Sequence, residues 1–320
     1  MRNRLLSTAI PRILALVIDI EKMIGRVVEL HGQRARIFTG DDYIDAILKG
    51  KVKYGERDSS PIAVGDYVRY SIAPGETAAV EAIEKRESVL SKPAVEKEGL
   101  VQVMVANIDR VIIVSSVKKP KFKPGLIDRF LVTALKEEIK PVIVLNKIDL
   151  GIPEIIHEYF KGWSEISCQT IFTSALTGEG MDELKETLRQ GTSVISGHSG
   201  VGKSSLLNKI SPELNLKTKK VSSSSNRGVH TTSRMSLYRI FPEGWVADTP
   251  GLKVFGLTGV TRKTLHEYYP EFDELRLDCR FDDCIHIGEP DCAVKKSVEN
   301  SDGSIAGFRY ESYLRIYADL

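Results

Sequence analysis

No stretch of the chain approaches the roughly 20 consecutive apolar residues that a helix needs to cross a bilayer, so the sequence predicts no membrane-spanning segment. Neither sign of charge prevails. With 45 Lys and Arg against 43 Asp and Glu the formal net charge is +2, which excludes a uniformly basic surface and leaves any nucleic-acid affinity to local patches. Two such patches are present, Lys118, Lys119, Lys121 and Lys123, and then Lys217, Lys219 and Lys220; on sequence alone, runs of this kind read first as solvated faces. Cysteine is scarce, at 4 residues, and Cys279, Cys284 and Cys292 share one short segment, a distribution without an obvious disulfide pairing. Cys168 stands apart and is expected to be a buried apolar residue. Arg2 and Arg4 precede the apolar stretch Ile13 to Ile18, and no acid appears before Asp19. Pro11 and Arg12 keep that stretch too short for a secretory signal, and no small-residue cleavage site follows. An organellar transit peptide or a misassigned start stand as alternatives for these residues; the expected location is the cytosol.

At 320 residues, 42% hydrophobic and 28% charged, the chain has the composition of an ordinary soluble protein with two or three cores. It carries a full set of guanine-nucleotide motifs, and their order is unusual. Asn146, Lys147 and Asp149 (NKID) and then Ser174 and Ala175 (TSA) come before the phosphate loop GHSGVGKS, with Asp248 to Gly251 (DTPG) last. An ordinary GTPase begins with the phosphate loop and DTPG, so this order describes a circular permutation.

Each motif has a physical task. In Gly197, His198, Ser199, Gly200, Val201, Gly202, Lys203 and Ser204 the glycines allow a tight turn whose N–H groups face phosphates; Lys203 reaches the β and γ phosphates and Ser204 holds Mg²⁺. Thr192 to Ser196 reads as the strand before the loop and Ser205 to Ile210 as the helix after it, whose N-terminus favours an anion. NKID ends the apolar run Pro141 to Leu145, at the carboxyl end of a parallel strand where open α/β sheets bind ligands. Asp149 can accept both guanine N1–H and the 2-amino group, contacts that adenine cannot offer, and this predicts GTP over ATP. Thr170 to Thr173 delivers Ser174 and Ala175 to the same edge, where a backbone N–H can meet guanine O6. Asp248 can bind Mg²⁺ through water, and the Gly251 N–H can sense the γ-phosphate.

The flanks have a different texture. Between residues 22 and about 90, short alternating segments such as Ile24 to Glu29, Ala35 to Thr39 and Asp66 to Tyr70 are separated by Gly and Asp turns, the pattern of a small barrel, OB-like or SH3-like. From Val103 to Ser116 the apolar run reads as the start of the buried parallel strands of the GTPase core. After DTPG, Cys279, Cys284, His286 and Cys292 follow as CxxxxCxHxxxxxC, soft ligands that suit one tetrahedral Zn²⁺ at a closed structural site.

Permuted motifs, a small barrel and this Cys, Cys, His, Cys spacing together resemble the RsgA (YjeQ) family of GTPases that depend on the small ribosomal subunit. Arg227 to Thr232 (RGVHTT) resembles the family's switch I and Ala106 to Arg110 (ANIDR) its entry to the GTPase core. The likeness spans roughly residues 22 to 310. It implies an extension at 1–21, an OB-like barrel at 22–92, a circularly permuted α/β P-loop GTPase domain at 93–258 and a mostly helical zinc-binding domain at 259–320. It further implies slow GTP hydrolysis stimulated by the small subunit, contacts with rRNA, and GTP contacts on Asn146, Lys147, Asp149 and Gly197 through Ser205. The zinc ligands fall on the cluster already named. Ser233 stands where the family continues with a third threonine, which leaves open whether Thr231 or Thr232 caps the γ-phosphate and Mg²⁺.

Leu252 occupies the place where many GTPases carry the glutamine that orients the attacking water. An aliphatic side chain cannot do this, so the sequence puts forward His230, from the switch I resemblance, with His198 as its competitor. Lys203 and Thr232 complete the expected catalytic set, in a monomer. Two functions are compatible with these residues: a subunit-activated GTPase of late small-subunit maturation, and a GTP-controlled RNA-binding module or sensor with incidental turnover.

Overall fold

A computed structural model describes residues 23–48, 62–73, 77–93, 101–216, 235–248, 257–300 and 303–320. The first five strands are β1 (Met23–His31), β2 (Arg34–Phe38), β3 (Tyr43–Leu48), β4 (Tyr67–Ser71) and β5 (Ala78–Ile83). They close in the order β1-β2-β3-β5-β4-β1, antiparallel throughout except where β3 meets β5. In β2, Ala35 and Ile37 point inward between exposed Arg34 and Arg36, the two-residue period of a half-buried strand. Val27, Ile37, Ala46, Val68 and Val80 fill the interior. A bulge between Val27 and Glu29 bends β1, which pairs with both β2 and β4. This five-stranded order decides for the OB-like barrel over the SH3-like one.

The apolar run Val103 to Ser116 is cut in two. β6 (Val89–Pro93) and β7 (Val101–Ala106) form a separate antiparallel hairpin, so the parallel core begins only at β8 (Arg110–Ser116). The break falls at Asn107, whose φ of 55° takes the backbone into the left-handed region that Asn tolerates better than most residues. Its side chain holds the turn by donating to Gly65 O (3.0 Å) and accepting from the Glu87 N–H (3.0 Å). Apolar content alone does not reveal such a reversal.

Five parallel strands, β8, β9 (Lys140–Asn146), β10 (Gln169–Phe172), β11 (Gln190–Ser196) and β13 (Glu243–Asp248), and antiparallel β12 (Ser236–Arg239) make the central sheet in the order β10-β9-β8-β11-β13-β12. Its strands are apolar on both faces. Val111 and Ile113 pack with Phe130, Phe160 and Trp163 of α1 (Pro124–Lys136) and α2 (Glu154–Glu165). Ile112 and Val114 pack with Leu184 and Leu207 of α3 (Met181–Leu188) and α4 (Lys203–Ile210). Helices covering both faces are what a parallel sheet requires. Because the chain runs from β8 outward to β10 and then returns to β11 on the other side of β8, the strand order reverses there. A crevice at the carboxyl ends is the consequence, and Asn146, Ser196 and Asp248 end their strands at it.

Glu29 of β1 pairs with Ser236 of β12, so barrel and sheet are continuous. The C-terminal residues form 3-10 turns, α5 (Ala293–Asn300) and α6 (Gly307–Asp319) around Tyr269, Phe272, Cys284, Cys292 and Tyr313. Buried Arg309 of α6 fastens this unit to the sheet's helices. It donates to Asp128 of α1 (2.5 Å) and to Glu271 (2.6 Å), while the Trp163 indole N–H donates to the same Asp128 oxygen (2.8 Å). Burial opposes the Arg309 charge, but the two carboxylates outweigh it and keep the guanidinium protonated. No helix among the described residues is long and apolar enough to cross a membrane.

Candidate nucleotide site and metal centre

The phosphate loop joins β11 to α4, whose first residue is Lys203 rather than Ser205. Gly197 has φ 138°, and a Cβ there would lie 2.1 Å from the Val114 carbonyl oxygen; Gly202 has φ 105°, and a Cβ there would lie 2.2 Å from Asn146 Nδ2. Only glycine combines these torsions with such close approach. Lys203 Nζ donates to Gly197 O (2.7 Å) and His198 O (3.2 Å), curling over its own loop. Burial lowers its pKa, with the Asp248 carboxylate acting in the opposite sense, so the end of β13 lies within electrostatic reach of the loop. His198 is exposed and its Nδ1 lies 2.9 Å from Ser199 O.

Asn146, 1% exposed, is the joint of the site. Its Nδ2 donates to Val201 O (2.8 Å) and its Oδ1 accepts from the Ala175 N–H (3.2 Å), which ties NKID to the phosphate loop on one side and to TSA on the other. Lys147, at φ 65°, donates to Gly200 O (2.7 Å) and to Lys119 O. A left-handed non-glycine residue carries strain that its surroundings must hold in place, and these bonds do so. Asp149 sits in a 3-10 turn with its side chain exposed, and Ser174 Oγ donates to Asp149 Oδ1 (2.6 Å) while accepting from the Thr177 N–H (3.1 Å). The Ser174 and Ala175 N–H groups are therefore both engaged, the first by Glu179 O at 2.9 Å, and Ser174 contributes a hydroxyl that aims the carboxylate.

In the C-terminal unit, the donor atoms of Cys279, Cys284, His286 and Cys292 lie within 4.8 Å of one another. Cys279 Sγ is 3.9 Å from Cys292 Sγ, and His286 Nδ1 is 3.6 Å from Cys279 Sγ and 3.4 Å from Cys292 Sγ. A tetrahedral ion bonded at about 2.3 Å to sulfur and 2.0 Å to nitrogen has ligand-to-ligand edges of about 3.5 to 3.8 Å, so the donor set fits a four-coordinate metal ion. Burial pushes the Cys284 thiol up to about 12 and His286 down to about 4. The imidazole is thus neutral, and only a cation would stabilise thiolates in this pocket. Glu289 accepts from the N–H groups of Ile285 (2.9 Å), Ile287 (2.9 Å) and Gly288 (3.0 Å), fixing the turn in which His286 adopts φ 61°.

Comparison with known proteins decides the family. Residues 83–258 match the profile of the RsgA GTPase family. The small ribosomal subunit biogenesis GTPase RsgA of Chlorobaculum tepidum is 38% identical over 313 residues, 94% of this chain and 99% of that protein. The chain belongs to the RsgA GTPase family. The protein of the same name from Moorella thermoacetica is 40% identical over 280 residues, 85% of this chain and 89% of its own. The crystal structure of YjeQ from Thermotoga maritima superposes with a TM-score of 0.75 at 35% identity, covering 93% of this chain and 98% of that one. YloQ, a circularly permuted GTPase, gives 0.72 at 27% identity over 92% and 94%. Like its relatives in the RsgA family, this chain is a GTPase with permuted motifs.

Other residues of the site are bonded in ways the motifs do not spell out. The Val201, Gly200 and Lys119 carbonyls act through backbone atoms, whose partners a side-chain pattern cannot announce. Thr173 is fully buried and reaches Leu145 O (3.3 Å). His230, Thr231, Thr232 and Gly251 lie outside the described residues, as do Leu252 and the patch Lys217, Lys219 and Lys220. Cys168 is buried, and burial raises its thiol to about 12.

Proposed function

We propose that this protein acts in biogenesis of the small ribosomal subunit, binding the subunit through rRNA and hydrolysing GTP to GDP and phosphate faster when bound. The observation that supports the reading is the joint at Asn146, whose bonds bring NKID, TSA and the phosphate loop together; the names of the relatives supply the partner. The protein would work as a cytosolic monomer. Its units would be the extension 1–21, the barrel 22–92, the GTPase domain 93–258 and the metal domain 259–320.

Asp149, aimed by Ser174, pairs with guanine N1–H and the 2-amino group, and Lys147 walls the base against the loop. The loop N–H groups and Lys203 take the charge of the β and γ phosphates, with Ser205 in the first turn of α4 beside them. Ser204 and Asp248, with Thr231 or Thr232, would hold the Mg²⁺ that accompanies GTP and neutralises charge on phosphate oxygens. Gly251 donates its N–H toward the γ-phosphate, and His230 orients the attacking water through its imidazole. Cys279, Cys284, His286 and Cys292 would hold one structural Zn²⁺, the ion that a Cys₃His donor set favours, as a cross-link of the C-terminal unit.

The deciding experiment measures GTP hydrolysis with and without purified small subunits. Strong stimulation is expected, and turnover indifferent to subunits would return the sensor reading. In the same assay His230→Ala should lose about 10²-fold or more of the stimulated rate while its GTP affinity holds; full stimulated turnover would remove His230 from the mechanism.

A further inference from the structure

The loop between β8 and α1 carries Lys118, Lys119, Lys121 and Lys123, all exposed. Several exposed cations elsewhere do have acidic neighbours, as in Arg189 with Glu186, Lys296 with Asp291 and Arg315 with Glu311. Among the described residues no carboxylate pairs with any of the four. The loop is also anchored to the core at two points. Phe122 turns inward against Tyr159, Phe160 and Trp163, with ring centroids 5.6, 6.3 and 6.2 Å away, and Ser116 Oγ donates to Pro120 O (3.1 Å). With its one aromatic ring committed to the core, the loop offers charge and no stacking platform, which suits a sugar-phosphate backbone and not splayed bases.

The same loop is a wall of the nucleotide site. Lys119 O accepts from Lys147 Nζ, which also holds Gly200 O, and Lys118 Nζ donates to Leu150 O (3.3 Å), next to Asp149. We infer that Lys118 to Lys123 form a docking surface for an RNA backbone, and that its occupancy reaches the guanine site through the bonds of Lys119 and Lys118. This rests on the reading that the partner is the small subunit. Phosphates drawn to the lysines shift a loop whose carbonyl anchors Lys147, so RNA binding and nucleotide exchange become linked, and linkage makes the effect reciprocal.

The test uses the full-length protein and the double variant Lys121→Gln/Lys123→Gln, neither residue bonding to the nucleotide motifs. Binding to purified small subunits is measured across a salt series, together with the dissociation rate of a fluorescent GDP analogue with and without subunits. Removing two phosphate contacts should flatten the plot of log affinity against log salt by about 1.4 to 1.8. A change in GDP dissociation by subunits, expected at about fivefold or more in the wild type, should vanish in the variant. An unchanged slope and unchanged exchange would overturn the inference. A flattened slope with intact subunits but not with protein-free rRNA would assign the surface to a ribosomal protein and overturn it as well. If the wild type itself ignores subunits, the proposed function fails and this inference fails with it.

Discussion

The nucleotide site and the metal centre both fix several polar groups in one geometry, and they do it by opposite means. The nucleotide site takes Asn146, Ser174, the phosphate loop and Asp248 from far apart in the chain and seats them at the ends of strands whose interiors are apolar. Its groups also satisfy one another, through Asn146 with Val201 and Ala175, and Ser174 with Asp149. The metal centre takes all four donors from residues 279–292, where the backbone has turns and no strand. Its sulfurs and imidazole lie within 4.8 Å of one another with no protein cation among them. One site is organised by the fold around it; the other organises the fold around itself, given an ion. Removing a single group should therefore have different reach in the two regions.

The largest effect is expected at the metal. Structural zinc contributes an apparent folding free energy of about 10 to 16 kcal/mol in small zinc domains, and Cys284 is a buried donor. Cys284→Ser should cut zinc content and expose the backbone of residues 257–320 to hydrogen exchange while GTP binding survives. Stoichiometric zinc at normal affinity in that variant would break the contrast. Next comes the seam between the regions. Arg309→Met strands Asp128 and Glu271 without their cation inside the protein, a loss of about 3 to 5 kcal/mol, read as a lower midpoint in denaturant. Adding Asp128→Asn and Glu271→Gln should recover part of it. A change below about 1 kcal/mol for Arg309→Met would mean that water or movement relieves the two carboxylates.

How much of this was legible depended on whether the informative atom belongs to a side chain. The GTPase motifs announce themselves through Gly197, Lys203, Asn146 and Asp149 because each needs its own residue type, and the metal ligands through the chemistry of thiol and imidazole. The barrel was legible as a barrel through its two-residue alternation. Its strand order was not, since pairing β3 with β5 is a tertiary choice that no local pattern encodes. The reversal at Asn107 stayed hidden inside an apolar run. The Arg309, Asp128 and Trp163 contact joins residues 181 positions apart at its widest, and an arginine in an amphipathic helix reads as surface. The basic loop was visible as charge, while its seat against Lys147 and Leu150 rests on backbone carbonyls.

Within the nucleotide site, losses should be smaller and should leave the fold intact. Asp149→Asn replaces a charged acceptor by an amide, and hydrogen bonds to charged groups contribute about 1.5 to 3 kcal/mol. GTP affinity should fall by about 10 to 150-fold on that scale, and xanthosine triphosphate should gain, because its 2-oxo group can accept from the new amide. A competition assay with both nucleotides reads the two changes at once. Undiminished guanine preference would remove Asp149 from base recognition.

The smallest effect sharpens the contrast most, because it concerns a group that acts only through another. Ser174→Ala removes the hydroxyl 2.6 Å from Asp149 Oδ1 and leaves an exposed carboxylate that still has its charge but loses its aim. A neutral donor to a carboxylate in partial contact with water contributes about 1 kcal/mol, so GTP affinity should drop about fivefold, with stimulated turnover at saturation unchanged. Ser174→Thr, which keeps the hydroxyl, should restore most of the affinity. In an Asp149→Asn background the same Ser174→Ala change should cost clearly less, since the group it positions has already lost its strong contact, and such non-additivity is what direct coupling between neighbours produces. Fully additive losses would mean that Ser174 acts on the loop through Thr177, whose N–H it also accepts at 3.1 Å, and not on the base through Asp149.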